Sequence, residues 1–305
     1  MNILMTGGTG FLGSALAPLL LANGDNVGAW VRNVDRARKV LPSAVTLFEH
    51  LPSHKEQQWD AVINLAGAPI LGARWTDGRK QELRDSRIGQ TQTLVRWMSQ
   101  AESPIPVMLS GSACGYYGNC SPRQTLTESS SAQECFPHQL CRDWEEAALH
   151  AQNQGTRVCL LRTGVVLDKQ KGALKQMLPP FRLGLGGPIG DGNQVMSWIH
   201  LQDWLDAVVF LLKNPTLQGA FNLTAPHPVS NRSFAKSLGQ VLHRPAILPM
   251  PASVMHLLLG EAAELVTQGQ KVIPERLEEA GFIFAYPQLD EALSAIFEKK
   301  PETKA

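Results

Sequence analysis

The chain has 305 residues, of which 44% are apolar and 18% charged, and its formal net charge at pH 7 is +1. This length suits one large domain or two, with ample apolar content for a core. The near-neutral charge and the lack of basic clusters with interleaved aromatic residues exclude an electrostatic nucleic-acid or membrane binder. No apolar run reaches the length of a membrane span. We therefore expect neither nucleic acid nor membrane among the partners, and the oligomeric state stays open.

Cysteine usage indicates the compartment. The five cysteines show no CxxC spacing and lie among apolar neighbours, at Cys114, Cys120, Cys135, Cys141 and Cys159. Such residues are typical of reduced structural thiols. The first residues enter a strand pattern directly, without a charged leader or a small-residue cleavage site. We expect a cytoplasmic protein.

The first thirteen residues, MNILMTGGTGFLG, predict a phosphate-binding turn between a strand and a helix. Gly7, Gly10 and Gly13 separate the apolar strand from the apolar run 15–21. The first glycine permits the tight turn, the second lets the backbone approach a pyrophosphate, and the third lets helix and strand pack closely. This spacing predicts a dinucleotide-binding sheet.

The second predicted strand, residues 26–31, indicates which cofactor fits. It is followed by Arg32, whereas Asp35 lies three residues further on. An acidic residue at this strand tip would bind the ribose 2′-OH of NAD, while an arginine accommodates the 2′-phosphate of NADP. We predict NADP, the alternative being that Arg32 is only a solvated surface charge.

Further predicted strands place small or hydroxyl-bearing residues near the cofactor. The fourth strand, residues 60–67, ends in Leu65, Ala66 and Gly67, which would leave room for a cofactor. The fifth strand, residues 106–110, leads to Ser112, whose hydroxyl could bind a substrate carbonyl or alcohol or merely satisfy a local turn.

Two helical patterns follow these strands. Residues 77–100 carry Glu82 and Arg87, which by spacing alone share a helix face only loosely. The helix predicted over residues 137–152 places His138 and Arg142 four residues apart on one face.

The second half of the chain continues the alternation and adds an irregular segment. A sixth strand is predicted over residues 157–167, and a glycine- and proline-rich loop over residues 178–192. Asp203 is predicted to cap the helix that follows it. His200 and Asp203 have metal-ligand spacing, but without a third ligand nearby we expect no metal site.

Several segments together resemble a known family. TGGTGFLG, NLAG, the serine and GYYG segment, and WIHLQD look like an extended short-chain dehydrogenase/reductase of the NAD-dependent epimerase/dehydratase family. SRIGQTQTLV, LLRTGVVL, MLPPFRLGLGGPIG and GQKVIPERLEEAGF resemble more closely its atypical YfcH-type epimerase branch. The resemblance covers nearly the whole chain.

The resemblance implies an α/β fold, a Rossmann doubly wound parallel sheet with a smaller C-terminal substrate-binding region. We expect the NADP-binding domain at residues 1–166 and 195–226, and the substrate region at 167–194 and 227–305. The charged end of the chain, residues 299–305, is predicted to be mobile.

The resemblance also implies where the cofactor binds. The pyrophosphate matches Gly7, Gly10, Phe11, Leu12 and Gly13, and the 2′-phosphate contact matches Val31 and Arg32. Contacts from the rest of the sheet and the following helix match Leu65, Ala66, Glu82, Arg87 and, beside the nicotinamide, Val166.

The catalytic pattern departs from that of the family. Extended members use a Tyr-x-x-x-Lys pair after the serine, in which the lysine lowers the tyrosine pKa. This chain has His138 and Arg142 at that spacing, so His138 is a candidate proton carrier, an adjacent arginine favouring its neutral ring. Tyr117, or its neighbour Tyr116, is the rival. Met196 stands where sugar-nucleotide enzymes tend to place an arginine, which weakens the case for a nucleotide-sugar substrate.

Two functions remain open. The first is an NADP(H)-dependent oxidoreductase or epimerase acting on a small carbonyl or sugar-like substrate beside Ser112. The second is a non-catalytic NADP-binding redox sensor or scaffold, which the missing tyrosine and lysine favour.

Overall fold

The computed structural model describes residues 1–55 and 57–298, so the predicted mobile tail lies outside the described residues. The strands are β1 (Asn2–Thr6), β2 (Asn26–Trp30), β3 (Thr46–Phe48), β4 (Ala61–Asn64), β5 (Val107–Ala113), β6 (Thr125–Leu126), β7 (Arg157–Thr163), β8 (Val165–Leu167), β9 (Val195–Met196), β10 (Trp198–His200), β11 (Gly219–Leu223), β12 (Val229–Ser230) and β13 (Lys271–Val272). The helices are α1 (Phe11–Ala22), α2 (Val34–Arg38), α3 (Asp77–Arg84), α4 (Gln90–Met98), α5 (Phe136–Leu149), α6 (Gly172–Arg182), α7 (Leu201–Lys213), α8 (Asn231–Val241), α9 (Ala252–Leu259), α10 (Glu264–Thr267), α11 (Glu275–Glu279) and α12 (Leu289–Phe297).

The central sheet has seven parallel strands in the order β11-β7-β5-β4-β1-β2-β3. β1 lies between β2 and β4, so that Met5 is in register with Ala29 on one side and Ile63 on the other. The strand order reverses direction at β1, which is the point where open parallel sheets bind ligands. The predicted doubly wound Rossmann sheet is confirmed.

Both faces of this sheet are buried. In β1, Ile3 and Met5 pack on one side with α1 and α7, and Leu4 packs on the other with α4. Parallel strands covered by helices on both faces read as continuous apolar runs, which is why the strand segments were recognisable in the sequence.

The predicted sixth strand is two strands, because the chain bends at Gly164. A Cβ on Gly164 would lie 2.6 Å from the carbonyl oxygen of Ser197. β7 therefore stays in the central sheet, while β8 pairs with β10. Beyond the bend, Leu167 enters a second core with residues from α6, α8 and α12.

The predicted loop over residues 178–192 begins inside a helix. α6 runs to Arg182 and contains Pro179 and Pro180. Two prolines disfavour a helix interior, but Leu174, Leu178 and Phe181 share the face that packs into the second core. Burial of this apolar face outweighs the local preference, so the prediction was wrong for these five residues.

The predicted cap of α7 was also wrong. The cap is His200, whose Nδ1 accepts the backbone N–H of Gln202 at 3.1 Å. Asp203 lies in the first turn, fully buried, and its carboxylate accepts the N–H groups of Ala285 (2.7 Å) and Tyr286 (3.0 Å). Asp203 thus ties the C-terminal segment to the main domain.

Among the described residues, no helix is long and apolar enough to cross a membrane.

The cap of α7 predicts a pH dependence of stability. Burial lowers the pKa of His200 from 6.5 to about 4. Between these values the unfolded chain binds a proton that the folded chain does not, so stability falls as the pH drops from 6.5 towards 4. We expect His200→Asn, whose side chain can still cap but does not titrate, to reduce the drop in Tm between pH 7 and pH 4.5. Parallel Tm profiles for wild type and variant would contradict this.

Candidate functional site

The turn between β1 and α1 is shaped by two obligatory glycines. Gly7 has φ +67°, and a Cβ there would lie 2.3 Å from the carbonyl oxygen of Leu65. A Cβ on Gly13 would lie 2.4 Å from the carbonyl oxygen of Gly7. Since neither position has room for a side chain, the main chain of the turn stays open to a close approach.

Helix α1 starts at this turn without a side-chain cap. Its N-cap is Gly10, whose N–H donates to the Gly7 carbonyl at 2.9 Å, and the following residues 11–14 include no acidic side chain. The first N–H groups of the helix and the positive end of its dipole are therefore left for an anion. This turn, residues 7–13, is called the cradle below, and it fits the pyrophosphate of a dinucleotide.

Residues 65–67, called the floor below, lie beside the cradle and follow β4. This strand ends at Asn64 rather than at Gly67 as the sequence suggested. Leu65 and Ala66 are half-buried and Gly67 is exposed. The Asn64 amide accepts the Thr6 hydroxyl at 2.7 Å and so joins the ends of β1 and β4.

Glu82 and Arg87, the two candidate cofactor contacts on the next helix, lie in different environments. A one-turn π-helix, Asp85–Gly89, interrupts the predicted helix, as often happens at functional sites. Arg87, within it, lies against Gly67 and donates to the Ala68 carbonyl at 2.9 Å, and burial lowers its pKa. Glu82 is exposed and pairs with Arg79 at 2.5 Å.

Arg32 lies two residues beyond β2 and is exposed. Within residues 1–55 and 57–298 no carboxylate forms an ion pair with it, and Asp35 faces Arg38 at 3.9 Å. Val31 and Val166 are both buried, only 7% exposed.

Ser112, at the end of β5, donates its hydroxyl proton to Glu145 on α5 at 2.6 Å. Arg162 on β7 binds both oxygens of this carboxylate, at 2.9 and 2.8 Å. All three side chains are buried. Because its proton is committed, the Ser112 oxygen is left as a hydrogen-bond acceptor.

Tyr117 belongs to the same buried network. Its hydroxyl donates to Asn222 at 2.6 Å and accepts from Arg162 at 3.2 Å. The side chain is fully buried, and burial raises its pKa. This environment disfavours the phenolate that a catalytic base requires, so the geometry favours a packing role over proton transfer.

His138 occupies a different place on α5. Its Nδ1 contacts the carbonyl oxygen of Tyr116, which can only accept, so Nδ1 carries the ring proton and Nε2 presents a lone pair. The Glu134 carboxylate lies 3.6 Å from Nε2. Arg142, the predicted neighbour, pairs instead with Glu134 (3.4 Å) and Asp143 (3.0 Å).

Tyr116 lies between His138 and the buried network around Arg162. The centroid of its ring lies 5.3 Å from that of His138, and the Arg162 guanidinium lies over the Tyr116 ring, 3.4 Å from its centroid.

The sequence reading missed Glu145, Arg162 and Asn222. Sequence signals existed for the first two of these residues and not for Asn222. Glu145 lies seven residues after His138, on the same helix face, and Arg162 is a charge inside an apolar strand, which demands a buried partner.

The spacing of His200 and Asp203 reflects the cap and the tether described above. The part of the chain that the structure describes has no group of three His, Cys, Asp or Glu side chains able to hold a metal ion.

The sheet order and the glycine cradle define a Rossmann-type protein of the dinucleotide-binding class. Residues 3–223 match the NAD dependent epimerase/dehydratase family, and residues 250–296 match a Domain of unknown function (DUF1731). The chain belongs to the NAD dependent epimerase/dehydratase family, which confirms the resemblance seen in the sequence.

Similar proteins cover almost the whole chain. The chloroplastic SDR39U1 homolog of Arabidopsis thaliana, an epimerase family protein, is 39% identical over 98% of this chain and 87% of its own. Epimerase family protein YfhF of Bacillus subtilis is 36% identical over 97% of this chain and 98% of its own. The crystal structure of the human epimerase family protein SDR39U1 (isoform 2) with NADPH has 35% identity and a TM-score of 0.88, over 97% of this chain and 99% of that one. Because one relative is chloroplastic, the cytoplasmic compartment stays a prediction.

The buried ion pair predicts a stability effect. Arg162→Met leaves the Glu145 carboxylate buried without a cation, which we expect to cost about 3–5 kcal/mol of unfolding free energy in urea titrations. As a control, Arg38→Met removes an arginine whose side chain is 71% exposed, and should change stability by less than about 0.5 kcal/mol. Equal effects of the two substitutions would contradict the buried pair.

Proposed function

We propose that this protein binds NADP(H) and acts as an oxidoreductase or epimerase on a small carbonyl or sugar-like substrate. The observation that carries the proposal is the pairing of an open glycine cradle with Arg32 just beyond the neighbouring strand, which is exposed and has no ion-pair partner among the described residues. A dinucleotide lying across β1 would place its adenosine 2′-phosphate at Arg32. The crystal structure of the human relative with NADPH supports the choice of cofactor.

The remaining cofactor contacts follow from the cradle. Backbone groups of the glycine turn and the first turn of α1 would hold the pyrophosphate, at Gly7, Gly10, Phe11, Leu12 and Gly13. The other contacts would come from the ends of the neighbouring strands and from the π-helix, at Val31, Leu65, Ala66, Gly67, Arg87 and Val166. Glu82, paired with Arg79 on the surface, is the weakest member of the predicted set.

For catalysis we infer that His138 transfers the proton and that Ser112 binds the substrate. The nicotinamide supplies or accepts the hydride when it is bound. His138 takes up or releases the substrate proton at Nε2, with the Glu134 carboxylate stabilising the charged ring and the Tyr116 carbonyl fixing its orientation. Ser112 accepts a hydrogen bond from a substrate hydroxyl, because its own proton is held by Glu145.

A non-catalytic NADP-binding sensor or scaffold is the competing function. The observation in its favour is that the hydroxyl protons of Ser112 and Tyr117 both serve internal hydrogen bonds. His138, whose Nε2 is not tied by a hydrogen bond among the described residues, favours the enzyme.

We also propose that residues 167–194 and 227–305 form the substrate region. The second core supports this division, although Trp198 and Ala225 join that core from the Rossmann segments and Leu277 packs into the main core.

The cofactor preference predicts unequal thermal shifts. NADPH should raise Tm more than NADH at equal concentration, because only NADPH presents a phosphate to Arg32. Arg32→Ala should raise the Kd for NADPH about 10- to 100-fold in calorimetric titrations and leave that for NADH nearly unchanged.

Arg96→Ala, an exposed arginine on α4, is the matched control and should bind both cofactors as the wild type does. Equal thermal shifts, or a matched loss of both cofactors in Arg32→Ala, would show that Arg32 is not at the phosphate.

The proton carrier predicts a separation of turnover from binding. In His138→Asn the amide can still donate to the Tyr116 carbonyl, but no group titrates. We expect NADPH oxidation, assayed over a panel of small aldehydes, ketones and free sugars, to fall at least about 100-fold, with an unchanged Kd for NADPH.

Undiminished turnover in this variant would remove His138 from the mechanism. Wild-type protein that binds NADPH tightly but neither oxidises it with any member of the panel nor epimerises any of the free sugars would favour the non-catalytic function.

A further inference from the structure

One lysine outside the predicted site reaches the cofactor cradle. The Lys171 ammonium, just before α6, donates to the Ser14 hydroxyl at 2.6 Å. Ser14 is the fourth residue of α1, and its hydroxyl in turn donates to the carbonyl of Phe11 at the start of that helix. In the described part of the chain, no carboxylate forms an ion pair with Lys171.

The backbone around Lys171 is fixed against α1. The Asp168 carboxylate accepts the N–H groups of Gln170 (2.8 Å) and Lys171 (2.9 Å), which closes a tight turn. Gly172 follows with φ +72°, and a Cβ there would lie 2.8 Å from the Phe11 ring. A side chain at this position would push the turn away, so Gly172 allows Lys171 to stand beside the cradle.

We propose that Lys171 is a second cation of the cofactor site and binds the pyrophosphate of the dinucleotide. The proposal rests on the proposed binding of NADP(H). A pyrophosphate carries two negative charges, whereas the cradle supplies only backbone N–H groups and a helix dipole. Lys171 is exposed, forms no ion pair with any residue that the structure describes, and is held by a hydroxyl that offers no charge. An ammonium shift of a few ångströms would therefore exchange Ser14 for a phosphate oxygen.

The experiment separates the two ends of the cofactor. Calorimetric titrations with NADPH, NADH and ADP-ribose, which all contain the pyrophosphate, compare wild type with Lys171→Met and with the control Lys175→Met, an exposed lysine one turn into α6. We expect Lys171→Met to raise all three Kd values about five- to tenfold and Lys175→Met to change none. Arg32→Ala should affect NADPH alone. Lys171→Arg, which keeps the charge, should restore most of the affinity.

A structural tether would behave differently. Ser14→Ala removes the hydrogen bond but keeps the cation, so an equal loss of affinity in Ser14→Ala and Lys171→Met would overturn the proposal. Unchanged affinity in Lys171→Met, with a wild type that binds, would overturn it too. Wild-type protein that binds none of the three ligands would instead refute the proposed cofactor function.

Discussion

The close contact between the turn after β1 and the end of β4 is the constraint on which the site depends. Gly7 presses against the Leu65 carbonyl with no room for a side chain, and the Thr6 hydroxyl is bound by Asn64 at 2.7 Å. Asn64 also donates to Thr91 at 2.7 Å, which joins α4 to the same point. The cradle and the floor are therefore held together as one rigid unit. A dinucleotide whose pyrophosphate bound at the start of α1 would have its position over the end of β4 set by the same contacts.

The buried Glu145–Arg162 pair organises the other half of the site. Taking two charges out of water is costly, and the pair offsets that cost with a two-pronged contact and with hydrogen bonds from Ser112 and to Tyr117. It fixes the end of α5 to β5 and β7 and, through the stacked Tyr116 ring, determines where the carbonyl that orients His138 lies. The buried polar network and His138 are thus connected through Tyr116.

The parts of the fold that depend on local sequence could be predicted. The glycine turn and the buried strands of the sheet each show a pattern within a few residues. The errors arose where distant contacts decide. The prolines of α6 are tolerated because three apolar residues share a face towards the second core, and Asp203 faces backbone groups more than 80 residues away rather than capping its helix. The sequence indicates that Arg162 needs a buried partner, but not that this partner is Glu145 or that Ser112 joins it, since the three residues come from separate elements that only the folded sheet brings together.

The departure from the Tyr-x-x-x-Lys pattern has a physical reading in this arrangement. A tyrosine base needs a nearby cation to lower its pKa, yet here the arginine closest to a tyrosine hydroxyl is neutralised by Glu145, and burial raises the pKa of Tyr117. A histidine needs no such cation, because its ordinary pKa is already close to neutrality. The Glu134 carboxylate lies 3.6 Å from Nε2 of His138 and the Tyr116 carbonyl binds Nδ1, and the proposed role of His138 rests on these two contacts. Under the proposed mechanism the missing lysine and the use of a histidine therefore belong together, because a histidine base needs no neighbouring cation.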